Sequence, residues 1–240
     1  RHTREAGKTR LLHGWEGQQL LDTDWRPLGI KWQAKPELGE TVGGMQAPHV
    51  VLSDGLYHLF YGDWQNICLA TSTDGKVFER QPLNGISGRF GEGPQANARD
   101  PMLIRIGSQW HCYYTAHPGR IGRVYCRTTQ DFKTWSQARV VRAGGAAGSN
   151  FWSHECPHVV AIDDRYYLFT TQKYRGQPRT SVYVSYDPMS FGLDDDSSLV
   201  ATLPVAAPEI VMEGRDYYIA ALKPDLDGIR LARLEWRTAR

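Results

Sequence analysis

The stretch "HECPHVVAIDDRYYLFT", residues 154–170, has three related copies elsewhere in the chain. They are "MQAPHVVLSDGLYHLFY" at 45–61, "ARDPMLIRIGSQWHCYY" at 98–114 and "AAPEIVMEGRDYYIAA" at 206–221. In each copy a proline opens an apolar run, a polar turn follows, and an aromatic residue stands nine positions after the proline. Successive prolines are 53, 56 and 51 residues apart. This self-similarity indicates a repeat architecture with a period of roughly 50 residues.

A second shared element follows the first three of these predicted hairpins. The segments are "ICLATSTDGKVF" (67–78), "VYCRTTQDFKTW" (124–135) and "VYVSYDPMSF" (182–191). Each reads as a strand that ends in an aspartate with an aromatic residue four positions later, and the aspartates are typical turn caps. Since helical periodicity is nearly absent, each unit is predicted to contain three strands and a short outer one, which is typical of a β-propeller blade.

The predicted fold is therefore a single all-β domain over residues 1–240, a five-bladed β-propeller. Four blades correspond to 45–97, 98–153, 154–204 and 205–240, and residues 1–44 form an N-terminal blade or closure segment. The stretch "GWEGQQLLDTDWRPLGIKW" (14–32) could supply the fifth blade and pair with the C-terminal strand to close the ring. Four blades with an N-terminal extension is the alternative. A double β-sandwich is disfavoured because it does not require the internal period.

Composition excludes several classes of partner. The net charge of +2, from 28 basic and 26 acidic residues, provides no electrostatic footprint for nucleic acid or an anionic membrane. No apolar run approaches the roughly 18 residues of a membrane span. The four cysteines form no CxxC pair, so we expect free thiols, no metal site and no cofactor. No signal in the sequence defines an oligomeric state.

The residues before each repeated proline are predicted to meet at one end of the propeller channel. Two of these positions are acids, Asp100 and Glu155, whereas the corresponding residues in the other repeats are neutral. Paired carboxylic acids across a pocket are the usual equipment for glycoside hydrolysis. The aromatic neighbours Phe151 and Trp152 would raise the pKa of Glu155 and suit it to proton donation. Arg99 would keep Asp100 ionised, which suits a developing positive charge.

Further side chains are candidates for contact with a sugar. Gln46 and Arg99 flank the prolines, and His49 and His158 directly follow two of them. The two histidines are interpreted either as hydrogen-bonding partners of sugar hydroxyls or as packing between blades. His154, adjacent to Glu155, could hydrogen-bond a ligand or modulate the acid. Trp64 and Trp152 are interpreted either as stacking platforms for a sugar ring or as packing at the edges of blades. Glu209, which follows Pro208, could be a further acid in the channel.

These motifs resemble those of a known clan of glycosidases. "ARDP" (98–101) followed by "ECP" (155–157) resembles the five-bladed glycoside hydrolase families 32, 43 and 68, and family 32 most of all. The strand starts "APHVV" (47–51) and "ECPHVV" (155–160) also resemble those of family 43. The resemblance covers about residues 45–236. It implies that Glu155 is the general acid, that Asp100 stabilises the transition state, and that Arg99 binds substrate hydroxyls.

One part of the family pattern has no counterpart in this sequence. The families carry a third carboxylate in their first blade, in a motif like "NDPNG" in family 32, and no such motif occurs here. That acid is expected near or before residue 1, or its role falls to Asp22 or Asp24 as the base.

The resemblance predicts a glycosidase that cleaves furanoside or pentoside linkages in an oligosaccharide or polysaccharide. It is expected to be secreted or periplasmic. The alternative function is a non-catalytic carbohydrate-binding propeller that has lost its nucleophile or base.

Overall fold

The computed structural model describes residues 2–5, 9–22 and 24–237, with side chains described from Arg10 onward. The described chain is built from antiparallel sheets joined by loops, with three short 3-10 helices at Pro36–Leu38, Pro118–Arg120 and Gly145–Ala147. None of the described helices is long and apolar enough to cross a membrane.

Each of the four sequence repeats forms one sheet, called here the first to fourth blade. The first contains β4 (Gln46–Ser53), β5 (Leu56–Gly62), β6 (Ile67–Ser72), β7 (Glu79–Arg80) and β8 (Gly88–Phe90). The second contains β9 (Arg99–Ile106), β10 (Gln109–Ala116), β11 (Arg123–Thr129) and β12 (Arg139–Arg142). The third contains β13 (Glu155–Ile162), β14 (Arg165–Lys173), β15 (Arg179–Ser185) and β16 (Leu199–Leu203). The fourth contains β17 (Ala206–Glu213), β18 (Asp216–Leu222) and β19 (Ile229–Leu234).

The N-terminal residues form a separate three-stranded sheet. It contains β1 (His2–Glu5), β2 (Thr9–Glu16) and β3 (Arg26–Trp32), and β2 lies against β4 of the first blade.

The all-β propeller prediction is confirmed, and the blade count matches the four-blade alternative with an N-terminal extension. The expected pairing of this segment with the C-terminal strand is wrong for the described strands. β19 pairs with β18, and β1–β3 satisfy their hydrogen bonds with one another.

The first strand of each blade faces the propeller axis, where β4, β9, β13 and β17 lie side by side in that order. All four strands carry the same irregularity near the proline. Two residues, the proline and the one before it, stand opposite a single residue of the neighbouring strand. The residue before the proline has a positive φ in every blade: Ala47 (45°), Asp100 (57°), Cys156 (50°) and Ala207 (47°). Such bulges re-aim side chains, so the strand starts do not follow simple alternation.

The core is shared between neighbouring blades. One cluster, which includes Phe60, Leu103 and Tyr114, joins the first blade to the second. Another, which includes Tyr113, Val159 and Phe191, joins the second to the third. A third cluster packs the N-terminal sheet on the first blade through Leu12, Trp32 and Tyr61. Because a blade's sheet is apolar on both faces, it is covered only when both neighbours are in place.

The repeated aspartates cap turns, as the sequence predicts. Asp74 accepts the backbone N–H groups of Lys76 and Val77, at 2.8 and 2.9 Å. Asp131 accepts those of Lys133 and Thr134 in the same way. The aromatic residues that follow these turns enter the clusters between blades, which explains why aspartate and aromatic residue recur together.

Arg142 anchors the loop that leads into the third blade. Its side chain is fully buried, and its guanidinium lies 3.9 Å from the centre of the Tyr183 ring. It donates hydrogen bonds to the carbonyl oxygens of Gly144, Gly192 and Asp195 and to the Asp196 carboxylate, the last at 2.8 Å. The loop that begins at Gly144 is therefore tied to residues 192–196.

Replacement of this arginine is expected to destabilise the propeller. Arg142→Ala leaves several carbonyl groups and Asp196 without their partner and should lower the free energy of unfolding by about 3 kcal/mol, as for other broken buried ion pairs. Arg165→Ala is the matched control, because that side chain is half exposed and lies 3.8 Å from Asp164. The control should change stability by less than about 0.5 kcal/mol. Equal unfolding midpoints in urea for the two variants would contradict this role for Arg142.

Candidate active site

A cavity of about 680 Å³ lies at the start of the four innermost strands and is called here the central cavity. Because of the four bulges, consecutive residues rather than alternate ones reach it. The lining from the first three blades is Gln46, Ala47, Pro48 and His49; Arg99, Asp100, Pro101 and Met102; and Glu155, Cys156, Pro157 and His158. The fourth blade contributes Ala207, Pro208 and Glu209, and the N-terminal sheet contributes Arg10. In a strand with simple alternation, only one of the two residues before each proline would face the cavity.

Glu155 is the carboxyl group in the wall of the third blade. Its Oε1 atom accepts hydrogen bonds from Arg99 Nε at 3.1 Å and from Arg99 Nη2 at 2.7 Å. Burial raises the pKa of Glu155, and the nearby Asp100 adds to this rise. Arg99 and a hydrogen bond from Tyr174 act in the opposite direction, but the pKa stays above its ordinary value. The main cause is thus desolvation by the cavity wall, and neither Phe151 nor Trp152 is part of the lining of this cavity.

Asp100 faces the same cavity from the second blade. Its Oδ2 atom accepts the backbone N–H of Cys156 at 3.0 Å and lies 3.7 Å from Arg99 Nε. The first contact links the bulge of the second blade to that of the third. Since Cys156 directly follows Glu155, the two acids are held next to each other by the backbone as well as by Arg99.

Arg99 connects both acids to the surrounding loops and is only 3% exposed. Beyond its bonds to Glu155, Nη1 donates to the Asn97 carbonyl oxygen and lies 3.1 Å from His117 Nδ1. Nη2 also donates to the Phe151 carbonyl oxygen at 2.9 Å. Burial acts to lower the pKa of the guanidinium, but Asp100 and Glu155 outweigh it and raise the pKa. Arg99 is therefore a permanent positive charge between two carboxyl groups, placed mainly to fix their positions.

Tyr174 is a cavity residue that sequence reasoning missed. It follows β14 in the loop of the third blade, and its hydroxyl lies 3.3 Å from Cys156 Sγ and hydrogen-bonds Glu155. Burial raises the pKa of the phenol, so the hydroxyl stays protonated and can donate. The other repeats carry no tyrosine at this place relative to the proline, so the repeat offers no signal for it.

His49 and His158 line the cavity, as expected for residues directly after the proline. Their rings are 6.5 Å apart between centroids. His49 Nε2 lies 3.3 Å from the Leu103 carbonyl oxygen, and His158 Nε2 accepts the Ile210 N–H at 3.1 Å. Burial lowers the pKa of His49 to about 4 and that of His158 to about 3. Both imidazoles are neutral and bridge to the next blade, so their structural and ligand-binding interpretations are compatible.

Gln46 and Glu209 complete the polar lining. Gln46 accepts a hydrogen bond from Arg10 and donates one to Asn97 Oδ1 at 3.0 Å. Glu209 lines the cavity, and the surrounding protein desolvates its carboxyl group and raises its pKa. The central cavity thus contains three carboxyl groups, from Asp100, Glu155 and Glu209. Sequence reasoning missed Arg10, because a lone arginine has no signal for a channel position.

The structure places the remaining candidates outside the central cavity. His154 is fully buried beside the loop that Arg142 anchors, and burial lowers its pKa to about 4. His154 lies in the turn at 151–154, before β13 begins at Glu155, and its ring is not part of the lining of the central cavity although it is next to Glu155 in sequence. Asp22 and Asp24 lie in the loop between β2 and β3 and are not part of the lining. The role of either as base is therefore unsupported by this geometry.

A second cavity of about 610 Å³, called here the side cavity, adjoins the first. Its lining is Thr41, Trp64, Gln65, Gln95, Asn97, His117, Arg120 and Phe151. Trp64 belongs to it, with its indole N–H bonded to the Gly43 carbonyl oxygen and the Arg10 guanidinium over its ring at 4.5 Å. Trp152 is not in the lining and packs edge-on against Phe151, with centroids 4.2 Å apart.

Among the described residues, no three His, Cys, Asp or Glu side chains converge in a way that suits a metal ion. The four cysteines are unpaired thiols, and three of them are buried. The polar groups that line the central cavity are three carboxyl groups, two guanidinium groups, two neutral imidazoles, an amide, a thiol and a phenol.

Comparison with solved structures identifies the fold. A thermostable family-43 glycoside hydrolase has a TM-score of 0.73 at 15% identity, with 98% of this chain and 88% of that chain covered. The sucrose-6-phosphate hydrolase from Lactobacillus gasseri has a TM-score of 0.74 at 13% identity, over 98% of this chain and 55% of that one. At such low identity the likeness establishes the fold, the propeller found in glycoside hydrolases.

The family follows from the sequence comparison. Residues 62–230 match the model of the glycosyl hydrolases family 32 N-terminal domain, and the chain belongs to that family. A probable sucrose-6-phosphate hydrolase of Psychromonas ingrahamii is 25% identical over 162 residues. The sucrose-6-phosphate hydrolase of Escherichia coli is 33% identical over 107 residues. These alignments cover 63% and 42% of this chain but only 28% and 20% of the relatives' length.

The hydroxyl of Tyr174 is expected to tune the acidity of Glu155. Its hydrogen bond favours the ionised carboxylate, so Tyr174→Phe should raise the pKa of Glu155 further. The Glu155 carboxyl would then stay protonated to higher pH. The measurement is a pH titration of carbon-13-labelled glutamate by NMR, with Glu155→Gln used to assign the signal. Tyr186→Phe, in which an exposed hydroxyl is removed, should leave the Glu155 titration unchanged. A lower or unaltered pKa in Tyr174→Phe would refute the tuning role.

Proposed function

We propose that this propeller is a glycosidase that cleaves furanoside or pentoside linkages, with fructofuranosides as the first substrates to test. The observation that carries the proposal is the partly buried Glu155 carboxyl, with a raised pKa, held beside Asp100 in the wall of a substrate-sized cavity. Membership of family 32 and the sucrose 6-phosphate named for two relatives support the choice of a fructofuranoside.

In the proposed reaction Glu155 is the general acid. It donates its proton to the glycosidic oxygen while the bond between that oxygen and the anomeric carbon breaks, so the leaving group departs as a neutral alcohol. Both hydrogen bonds from Arg99 reach Oε1. We therefore assign the transferable proton to Oε2. The raised pKa keeps a larger fraction of Glu155 protonated near neutral pH than an exposed glutamate would have.

Asp100 is proposed to stabilise the positive charge that develops at the anomeric carbon. Its fixed position, with one oxygen on the Cys156 N–H, provides a negative group that needs no rearrangement during the reaction. Arg99 has the supporting role of aligning both acids. Gln46, His49 and His158 provide polar atoms in the same lining for sugar hydroxyls.

The presence or absence of a third carboxylate, as nucleophile or base, separates hydrolysis from the alternative, a non-catalytic carbohydrate-binding propeller. Asp22 and Asp24 lie outside the central cavity, and this observation favours the alternative. Glu209 is in the cavity but stands one position after its proline, whereas Glu155 stands two before. The two classes are separated by whether fructofuranosides, arabinofuranosides or xylosides are hydrolysed or only bound.

Substitution of the two acids should separate their roles. Glu155→Gln should lower kcat by about 10²–10⁴-fold on substrates with an alkyl leaving group, because it removes the proton donor. With a 4-nitrophenyl leaving group, which needs little protonation, the loss should be less than roughly tenfold. Asp100→Asn should lower kcat about 10²–10³-fold on both substrates, because charge stabilisation is needed in each case.

The control for this pair is Glu213→Gln, in which an exposed carboxyl at the far end of β17 is replaced. It should retain full activity. Wild-type activity in Glu155→Gln on the alkyl glycoside would eliminate the assignment of the acid. If the wild-type protein hydrolyses none of the substrates but binds the corresponding sugars, the carbohydrate-binding alternative replaces the glycosidase.

A further inference from the structure

A loop rich in glycine lies beside a buried histidine at the entrance to the third blade. The loop, called here the glycine loop, comprises residues 144–150, and His154 follows it in the turn before β13. His154 is fully buried, and the backbones of Gly144 and Gly148 lie near its imidazole ring. Thr115 of β10 donates a hydrogen bond to the His154 carbonyl oxygen at 2.7 Å, so the second blade holds the backbone of this histidine.

The imidazole of His154 is poorly satisfied in this position. Neither of its nitrogens has a partner at hydrogen-bonding geometry among the described residues, and the same is true of Ser153 Oγ and Arg142 Nε. Buried polar groups are normally paired, and an unpaired one lowers the stability of the folded state. A phenylalanine would fill a similar space without that cost. The additional property of the histidine is that it takes up a proton near neutral pH.

Two charged groups face this imidazole. They are the Arg142 guanidinium of β12 and the Asp196 carboxylate of the loop between β15 and β16, whereas the glycine loop contains no titratable side chain. Burial, the main cause, and Arg142 lower the pKa of His154 to about 4, while the glycine backbones and Asp196 act in the opposite direction. Asp196 already accepts hydrogen bonds from Arg142 Nη2 at 2.8 Å and from the Ala146 N–H at 2.7 Å. A proton on His154 would therefore add a second positive charge beside a carboxylate that is already engaged.

The glycine loop is closely packed and depends on its glycines. Gly144, Gly145 and Gly148 have positive φ values of 62°, 64° and 82°. A Cβ atom added to Gly145 would lie 2.6 Å from Arg142 Nη2, which is too close for any side chain. Glycine adopts this conformation without steric cost, but it also gains more backbone freedom than other residues when a loop opens. Opening of the glycine loop is therefore favoured by entropy and opposed by specific contacts.

The glycine loop continues into groups that position the acid pair of the central cavity. The carbonyl oxygen of Asn150, its last residue, accepts the Gly122 N–H at 3.3 Å and the Ser153 N–H at 2.9 Å. The carbonyl oxygen of the next residue, Phe151, accepts a hydrogen bond from Arg99 Nη2 at 2.9 Å. Since Arg99 aligns both acids, movement of this turn changes the support of the acid pair.

We propose that His154 and the glycine loop form an acid-sensitive switch, in which protonation of the imidazole opens the loop and withdraws the Phe151 carbonyl group from Arg99. In the closed state the imidazole is neutral and covered. In the open state it is exposed to water and can carry its charge, so protons bind the open state more tightly than the closed one. The switch weakens the alignment of the acid pair as the pH falls, whether that pair hydrolyses a glycoside or only binds a sugar.

The direction of the pH dependence follows from the pKa of His154 in the two states. The pKa of an exposed histidine is about 6.5, whereas that of His154 in the closed state is about 4. Above about pH 6.5 neither state binds the proton, and the loop is closed to its full extent. Between these two pH values only the open state binds it, so the equilibrium constant for opening rises about tenfold for each unit by which the pH falls. The total rise is roughly 300-fold and ends near pH 4.

Hydrogen exchange followed by NMR measures this opening. The amides of Ala146 and Gly148 are bonded to Asp196 and to the Gly145 carbonyl oxygen, and their protection factors should fall about tenfold per pH unit in this range. The amide of Tyr113 in β10, which is paired on both sides, should stay more strongly protected throughout. Constant protection of the loop amides would overturn the proposal. Equal protection of the loop and of Tyr113 at every pH would also overturn it, because only global unfolding would then expose His154.

Variants identify the group that titrates. His154→Phe should remove the pH dependence of loop opening, and His154→Gln, which keeps a polar side chain without a proton to gain, should do the same. His111→Phe is the matched control, because His111 is also buried with an unpartnered Nδ1 but faces Asp187. It should leave the pH dependence intact. Persistence of the dependence in His154→Phe, with its loss in Asp196→Asn, would transfer the effect to Asp196 and refute the role of the histidine.

Two further amides test the link to the central cavity. The N–H groups of Ser153 and Gly122 are bonded to the Asn150 carbonyl oxygen, so they should share the pH dependence of the glycine loop if the opening extends to the turn that carries Phe151. Strong and constant protection of both amides, while Ala146 and Gly148 exchange, would confine the opening to the loop and overturn its effect on Arg99. These results do not depend on activity, so they are separate from the test of the glycosidase.

Discussion

The functional end of this propeller depends on one backbone constraint, the residue of positive φ before each repeated proline. A left-handed residue that is not glycine costs about 1–2 kcal/mol, and this chain accepts the cost in all four blades. The resulting bulge brings consecutive residues to the axis. Without it, alternation would turn either Arg99 or Asp100 away from the cavity, and likewise either Glu155 or Cys156. The acid pair and the arginine between them exist as a group because of this bulge.

Electrostatics then fixes the group. Two carboxyl groups in a desolvated wall would repel each other if both were ionised. Arg99 offsets that repulsion, and its side chain is held in a fixed position. The Cys156 N–H holds Asp100, and the Tyr174 hydroxyl adds a bond to Glu155. Both acids are thus fixed by hydrogen bonds. For Glu155, desolvation outweighs the bonds from Arg99 and Tyr174 and raises the pKa.

The sequence predicts the repeat and the strands, because both follow a local pattern that recurs about every 50 residues. It singles out the two acids because they depart from that pattern. It does not predict the neighbours that come from non-repeated loops. Tyr174 lies in a loop that differs from blade to blade, so no internal comparison reveals it. His154 shows the opposite failure. It is adjacent to Glu155 in sequence, but it lies in the turn before β13 and its ring is buried outside the cavity. The sequence does not decide between five blades and four, because the segment that forms β1–β3 lacks the repeat.

The cores shared between blades have a consequence for how such a protein can be altered. Asp100 and Glu155 belong to different blades, and the apolar cluster containing Tyr113, Val159 and Phe191 sets the distance between them. A blade taken from this chain would leave one of its apolar faces without cover. The natural unit for recombination with a relative is therefore not a single blade but two neighbouring blades with the apolar cluster between them. Chimaeras that keep the second and third blades together should keep the site intact more often than those cut between these two blades.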